Sequence, residues 1–168
     1  MSDHEQALIR AENAGDIPAI RRLVTEAFPT CAEADLVDRL RADESAVFSL
    51  VAVAGGALVG HVMFSRMERP DRALGLAPVA VAAAWRRRGT AAILIGEGIS
   101  RAGADGWASV FVLGDPAYYG RFGFDASLAD GFASPYAGPH LMALALGTDA
   151  LAARSGELRY PRAFAALG

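Results

Sequence analysis

The sequence contains no lysine; its 16 basic side chains are all arginines. That alone rules out a G-x-x-x-x-G-K-[ST] phosphate loop, which needs a lysine. No G-x-G-x-x-G follows a strand-like segment either, so a dinucleotide fold fails on its own signature. Cys31 is the one cysteine, which excludes an intramolecular disulfide and fits a reducing compartment. Basic excess is also missing. The formal net charge is −3 and the pI about 5.6, which argues against a nucleic-acid binder. The longest apolar stretch, residues 73–85, contains Pro78 and is shorter than the roughly 20 residues that span a bilayer. The polar, acidic first six residues do not resemble a signal peptide, and the expectation is a cytoplasmic protein away from membranes. No Cys, His or carboxylate pair has zinc-like spacing, so no metal is expected.

What is present suits one compact domain over residues 1–168. Hydrophobic residues make up 53%, enough for a core, and neither an internal repeat nor a linker-like tract interrupts them. Leu8, Ile9 and Arg10 read as a first strand. Ile17, Ile20, Leu23, Val24 and Phe28 recur at helical spacing, and Pro29 stops that helix. Ala34, Leu36, Val37 and Leu40 mark a second amphipathic helix. Residues 48–54 and 57–67 are strand-like around Gly55-Gly56, a hairpin signal. Residues 74–81 form a third strand of this run. Pro78 inside it marks an edge, a bulge or a place where two strands part, and the last is expected. A helix to about Gly103 follows, then a strand over 109–113, a short helix after Gly114-Asp115-Pro116, a strand beginning at Phe124 and another over 141–146. Tyr160 and Phe164 in the tail are expected to pack back on the body. This order gives an α/β domain with a mixed sheet of six to seven strands and flanking helices.

The informative block runs from Val79 to Ala91. A strand ends, a turn follows and a helix begins, so the first helical amides and the positive end of the helix dipole point outward together. That is an anion site. Gly89 admits close backbone approach, Ala91 is small, and the arginines add positive charge. On charge alone, a solvated basic turn is the better account of Arg86, Arg87 and Arg88.

Arg86-x-x-Gly89-x-Ala91 matches [RQ]-x-x-G-x-[GA], and Tyr119-Gly-Arg-Phe-Gly123-Phe124 matches Y-x-x-x-G-F. With these two landmarks about thirty residues apart, the chain resembles the GCN5-related N-acetyltransferases. The string over residues 110–124 resembles their YhbS-like branch. The resemblance covers roughly residues 8–146. It implies an acyl-CoA N-acyltransferase fold with acetyl-CoA as co-substrate. By the same resemblance, the backbone of Val79, Ala80 and Val81 bonds the pantetheine arm, and Arg86, Arg87, Arg88, Gly89, Thr90, Ala91 and Ala92 cradle the pyrophosphate. Tyr119 then acts as general acid on the leaving thiolate. A thiol near 8.5 and a phenol near 10 make that donation roughly balanced. Without the resemblance, Tyr119 reads as a core aromatic of a short helix; Tyr118 beside it reads as the filler, and the two roles are exchangeable.

The sequence departs from the family in one respect: residues 73–85 carry no acidic side chain where many relatives place a glutamate base. Glu68, Asp71, Glu33 and His61 are the candidate substitutes, each better read as a structural or solvated residue; alternatively no base is needed, if the acceptor amine arrives already neutral. Asp115 stands where the family often has asparagine. Cys31 reads as a small packing residue at a helix mouth, because a cysteine nucleophile needs a histidine partner and His4, His61 and His140 are dispersed. The expected partner is a small-molecule or peptide amine, shaped by Phe28, Pro29, Cys31, Glu33 and the Ser134-Pro135-Tyr136 loop. The acidic balance suits a cationic acceptor, and a homodimer is left open. The alternative is an acyl-CoA-binding or sensor module without turnover.

Overall fold

The computed structural model describes residues 6–147 and 154–167. His4 lies outside them. The chain runs β1 (Leu8–Ala11), α1 (Ile17–Ala27), α2 (Ala32–Ala42), β2 (Ala46–Ala54), β3 (Ala57–Arg66), β4 (Ala73–Val81), α3 (Thr90–Ala104), β5 (Ser109–Leu113), α4 (Pro116–Tyr119), β6 (Phe132–Ala133), β7 (Leu141–Ala145) and β8 (Gly156–Glu157). A 3₁₀ turn over Arg162–Leu167 follows. Six strands form one sheet in the order β1-β2-β3-β4-β5-β7, while β6 and β8 pair separately. Every neighbour in the large sheet is antiparallel except β4 and β5.

Local sequence explains the boundaries. Pro18 is tolerated in the first turn of α1, where its missing N–H has no helical partner to lose. The helix buries Ile20, Leu23 and Val24 and stops at Phe28, whose extended backbone is what a following proline enforces. Gly55-Gly56 turns the β2–β3 hairpin as expected. Pro78 combines two of its expected roles. Val62 pairs with Val79 and Phe64 with Leu76, so Ala77 and Pro78 together face Met63 as a bulge. The same stretch lies beyond the last residue of β4 that pairs with β5.

The sheet is buried on both faces. On one, Leu94, Ile95 and Ala102 of α3 cover Val62, Phe64, Leu74 and Val110. On the other, α1, α2 and the C-terminal turn cover Val51, Met63 and Ala80, with Tyr160 and Phe164 folded back as the sequence implied. A smaller cluster packs Phe111 and Leu141 against Phe132 and Leu158.

Two expectations fail. No strand begins at Phe124; Asp125 makes a single bridge to Ala143 before a 3₁₀ turn at Ala126–Leu128. The Asp125 side chain accepts from the Ser127 amide at 2.8 Å, a local turn bond that competes with the ladder. Cys31 is not a packing residue. It is exposed beside α2, its Sγ 3.6 Å from Asp35 Oδ2.

Candidate active site

The sheet opens at its one parallel junction. β4 and β5 pair only at Ala73–Ser109, Leu74–Val110 and Gly75–Phe111. Past Gly75 the bulged half of β4, including Val79, Ala80 and Val81, is bonded to β3 on one side and has no partner in β5 on the other. The result is a V-shaped gap bordered by an unpaired strand edge, which is the geometry that accepts an extended ligand as an added strand.

One end of the gap meets the turn into α3. Gly89 stands before the helix at φ 81°, a left-handed conformation open to glycine at little cost. Arg87 also adopts φ 64°. The first helical bond runs from the Ile93 amide to the Gly89 carbonyl at 3.0 Å, so the amides of Thr90, Ala91 and Ala92 have no helical acceptor. A Cβ placed on Gly89 would meet no protein atom within 4 Å. A pocket of about 420 Å³ opens here, lined by Val81, Trp85, Arg86, Arg87, Gly89, Thr90, Ala91, Ala92, Tyr118 and Arg121. The three consecutive arginines divide their work. The Arg86 Nε donates to the Val81 carbonyl at 3.3 Å, tying the turn to β4. Arg87 lines the pocket, and Arg88 stacks over Trp85 at 4.8 Å outside the lining. Arg121, which sequence reasoning passed over, joins the pocket and lies over the Tyr118 ring at 4.7 Å. Its signal was its place inside the Tyr119–Phe124 landmark.

Asp115 caps α4, accepting from the Ala117 amide at 3.0 Å. This cap sets Tyr118 and Tyr119 just past the end of β5. Tyr119 packs edge-on against Phe124, with ring centroids 5.9 Å apart, and a Cβ on Gly114 would overlap the Tyr119 ring. Gly114 therefore makes room for that ring, a role not visible in the motif. Burial raises the Tyr119 pKa, with Tyr118 adding to the shift, so the phenol stays protonated near neutral pH. Tyr118 is more than filler: it lines the arginine pocket.

On the opposite face of the sheet, a second pocket of about 230 Å³ is lined by Leu76, Ala77, Leu113, Tyr136, Tyr160, Phe164 and Leu167. Ala77, Tyr160 and Phe164 belong to the α1–α2 side, whereas Trp85, Tyr118 and Tyr119 pack on the α3 side. The two pockets thus reach the gap from opposite faces. An outer groove of about 480 Å³ shares Tyr136, Tyr160 and Phe164 and adds Glu68, Glu157 and Arg159.

The substitute bases are scattered. Glu68 lies in the outer groove, 3.8 Å from Arg159. Asp71 is exposed between β3 and β4. Glu33 is half-buried in the first turn of α2 and, among the described residues, its Oε2 has no hydrogen-bond partner. His140 is exposed, with Nδ1 3.2 Å from the Gly114 carbonyl. His61 is fully buried under α1 and lines neither pocket. Desolvation pulls its pKa down to about 4, although the Glu12 charge opposes this, so the ring is neutral near pH 7. Its Nε2 lies 3.9 Å from Glu12 Oε1, an oxygen that accepts from Arg41 at 2.5 Å and Ser49 at 2.6 Å. Among the described residues no cluster of three His, Cys, Asp or Glu side chains is placed to hold a metal ion. Nor is any helix there long and apolar enough to cross a membrane.

A mixed sheet parted at its parallel junction, with a glycine-led helix N-terminus at one end of the gap, is the acyl-CoA N-acyltransferase fold. The chain belongs to the Acetyltransferase (GNAT) family, which it matches over residues 17–124. It is 41% identical over 122 residues to the uncharacterized N-acetyltransferase YhbS of Escherichia coli (strain K12), covering 70% of this chain and 73% of that protein. The crystal structure of E. coli YhbS in complex with CoA superposes with a TM-score of 0.92 at 34% identity, covering 100% and 97% of the two chains. A GNAT family acetyltransferase from Brucella melitensis in complex with acetyl-CoA gives a TM-score of 0.80 at 31% identity, covering 96% and 99%.

Proposed function

We propose that this chain, as one catalytic domain, is an acetyl-CoA-dependent N-acetyltransferase of the cytoplasm. It moves an acetyl group directly to the amine of a small molecule or peptide. The observation that carries this reading is the parting of β4 from β5 beside an arginine-lined pocket at the start of α3. The residues present fit the co-substrate. The free amides of Thr90, Ala91 and Ala92, the helix dipole, Arg87 and Arg121 supply positive potential for a pyrophosphate, and Gly89 faces open space for it. Arg86 holds the turn against β4, and Arg88 fixes Trp85. The exposed edge of Val79, Ala80 and Val81 suits the amide-bearing pantetheine arm. When bound, acetyl-CoA supplies the thioester as acyl donor. Tyr119 holds the proton that the departing thiolate takes up, and its raised pKa keeps that proton in place between turnovers.

The E. coli YhbS structure holds CoA and the Brucella melitensis GNAT family acetyltransferase holds acetyl-CoA, which supports the same ligand here. A second reading, an acyl-CoA-binding module without turnover, draws on the lack of an acidic residue between Ala73 and Val81. One experiment separates the two: calorimetric titration with acetyl-CoA, followed by thiol release from acetyl-CoA across a panel of amines. Binding with amine-dependent thiol release supports the enzyme. Binding without release from any amine supports the module.

A further inference from the structure

Resting on the reading above, we propose that the acceptor is a small aromatic amine, uncharged when it reacts, whose ring sits in the pocket floored by Leu76, Ala77 and Leu113 and walled by Tyr136, Tyr160 and Phe164. The floor residues are those where β4 and β5 have just parted, so this pocket lies at the narrow end of the gap, where a ligand arm running in from the arginine pocket would end. It enters from the face opposite the arginine pocket, leaving the donor and acceptor separate approaches.

Three features define the class of ligand. The first is charge. Among the described residues no ionisable group other than two tyrosines lines the pocket, and Tyr160 is held protonated because burial pushes its pKa up. Glu68 and Glu157 line only the outer groove beyond the shared Tyr136, Tyr160 and Phe164, so an ammonium ion seated in this pocket would give up water against walls that hold no carboxylate, and a nitrogen already neutral near pH 7, as on an arylamine, is favoured. This displaces the cationic acceptor suggested by the net charge. The second is size. About 230 Å³ is below the roughly 300–1,000 Å³ of drug-sized sites and suits a single ring. The third is the wall itself. Tyr136 meets Tyr160 edge-on at 5.5 Å and 86°, and Tyr160 meets Phe164 at 4.8 Å and 49°. A further ring extends this array in the arrangements aromatic pairs prefer.

The chemistry balances without an added base. The amine lone pair forms the C–N bond to the thioester carbonyl carbon, and the C–S pair leaves with sulfur. One N–H proton is lost to solvent, the sulfur gains one from Tyr119, and solvent returns a proton to Tyr119. The products are an N-aryl acetamide and the free thiol of CoA.

The test compares aniline, benzylamine, butylamine and spermidine as acceptors at pH 7, read by thiol release, with acetyl-CoA affinity measured by calorimetry on the same protein. Aniline is expected to exceed butylamine and spermidine in kcat/KM by at least about 10-fold, and to exceed benzylamine, which has the ring but is charged at pH 7. Tyr136→Ala is expected to raise the aniline KM about 10-fold with acetyl-CoA affinity unchanged and the fold retained by circular dichroism, and Tyr136→Phe to restore the KM. A preference for benzylamine, butylamine or spermidine over aniline, or an unchanged aniline KM in Tyr136→Ala, overturns the proposal. So does a protein that binds acetyl-CoA tightly and releases no thiol with aniline. Failure to bind acetyl-CoA at all would instead remove the enzyme reading on which the proposal stands.

Discussion

Tyr119 is half-buried and His61 fully buried, and in each case burial disfavours the charged form. A phenol pushed upward keeps its proton near neutral pH; if Tyr119 gives that proton to the leaving thiolate, as proposed, Tyr119→Phe should lower kcat about 10²-fold, at the low end for general acid–base catalysis. The ring and its contact with Phe124 survive that change, so acetyl-CoA affinity should hold; equal kcat in steady-state kinetics would remove the role. His61 has a different consequence. Its folded pKa of about 4 lies below the ordinary 6.5, so above pH 6.5 both folded and unfolded chains hold it neutral. As pH falls from 6.5 towards 4, the unfolded chain binds a proton that the folded chain refuses, and stability drops by up to about 3 kcal/mol. Denaturant melts at pH 7 and pH 5 should therefore show a larger loss in wild type than in His61→Gln. Parallel losses would show that His61 does not titrate this way. The motif singles out Tyr119 in the sequence, and the structure sets it just past the end of β5 against Phe124. The space that Gly114 leaves for it was not legible there, because a glycine in a turn looks the same whether it frees the backbone or a neighbouring ring.

The strand, turn and helix running from β4 into α3 were legible as a unit because each boundary has a local cause. Pro78 interrupts pairing, Gly89 takes the left-handed conformation, and Ile93, Leu94, Ile95 and Ile99 repeat at helical spacing. The strand read at Phe124 was not recoverable, since its apolar residue serves a core cluster while Asp125 bonds into a turn. The second pocket was half legible. The Ser134-Pro135-Tyr136 loop was singled out, but the C-terminal wall of Tyr160 and Phe164 depends on contacts far along the chain. If the turn recognises phosphate by charge and free amides, raising salt from about 0.05 to 0.5 M should weaken acetyl-CoA binding several-fold, because screening shortens with ionic strength. S-acetylpantetheine, which lacks the pyrophosphate, should bind weakly with little salt dependence. Similar salt slopes for the two ligands would argue against a phosphate site at α3.

At the scale of the whole molecule, the two faces of the sheet are covered by different segments, and the gap at the parallel junction is where they meet. A ligand bridging β4 and β5 across that gap joins halves that the fold leaves apart beyond Gly75. Acetyl-CoA at 100 times its dissociation constant should stabilise the chain by about 2.7 kcal/mol. For a chain of this length that corresponds to a melting shift of about 5–10 °C. The shift is expected to be the same with and without a chelator; a shift that vanishes with chelator and returns with one metal would contradict the metal-free reading.

The account stands most directly on the seat of the pyrophosphate, and calorimetric titration of acetyl-CoA into wild type and Gly89→Val tests it. A valine at φ 81° forces a β-branched side chain into the open space beside the helix amides. The expected result is a measurable dissociation constant for wild type and a loss of at least about 10-fold in the variant, with matching circular dichroism confirming the fold. Equal affinity in a folded Gly89→Val protein would place the ligand elsewhere and contradict the account.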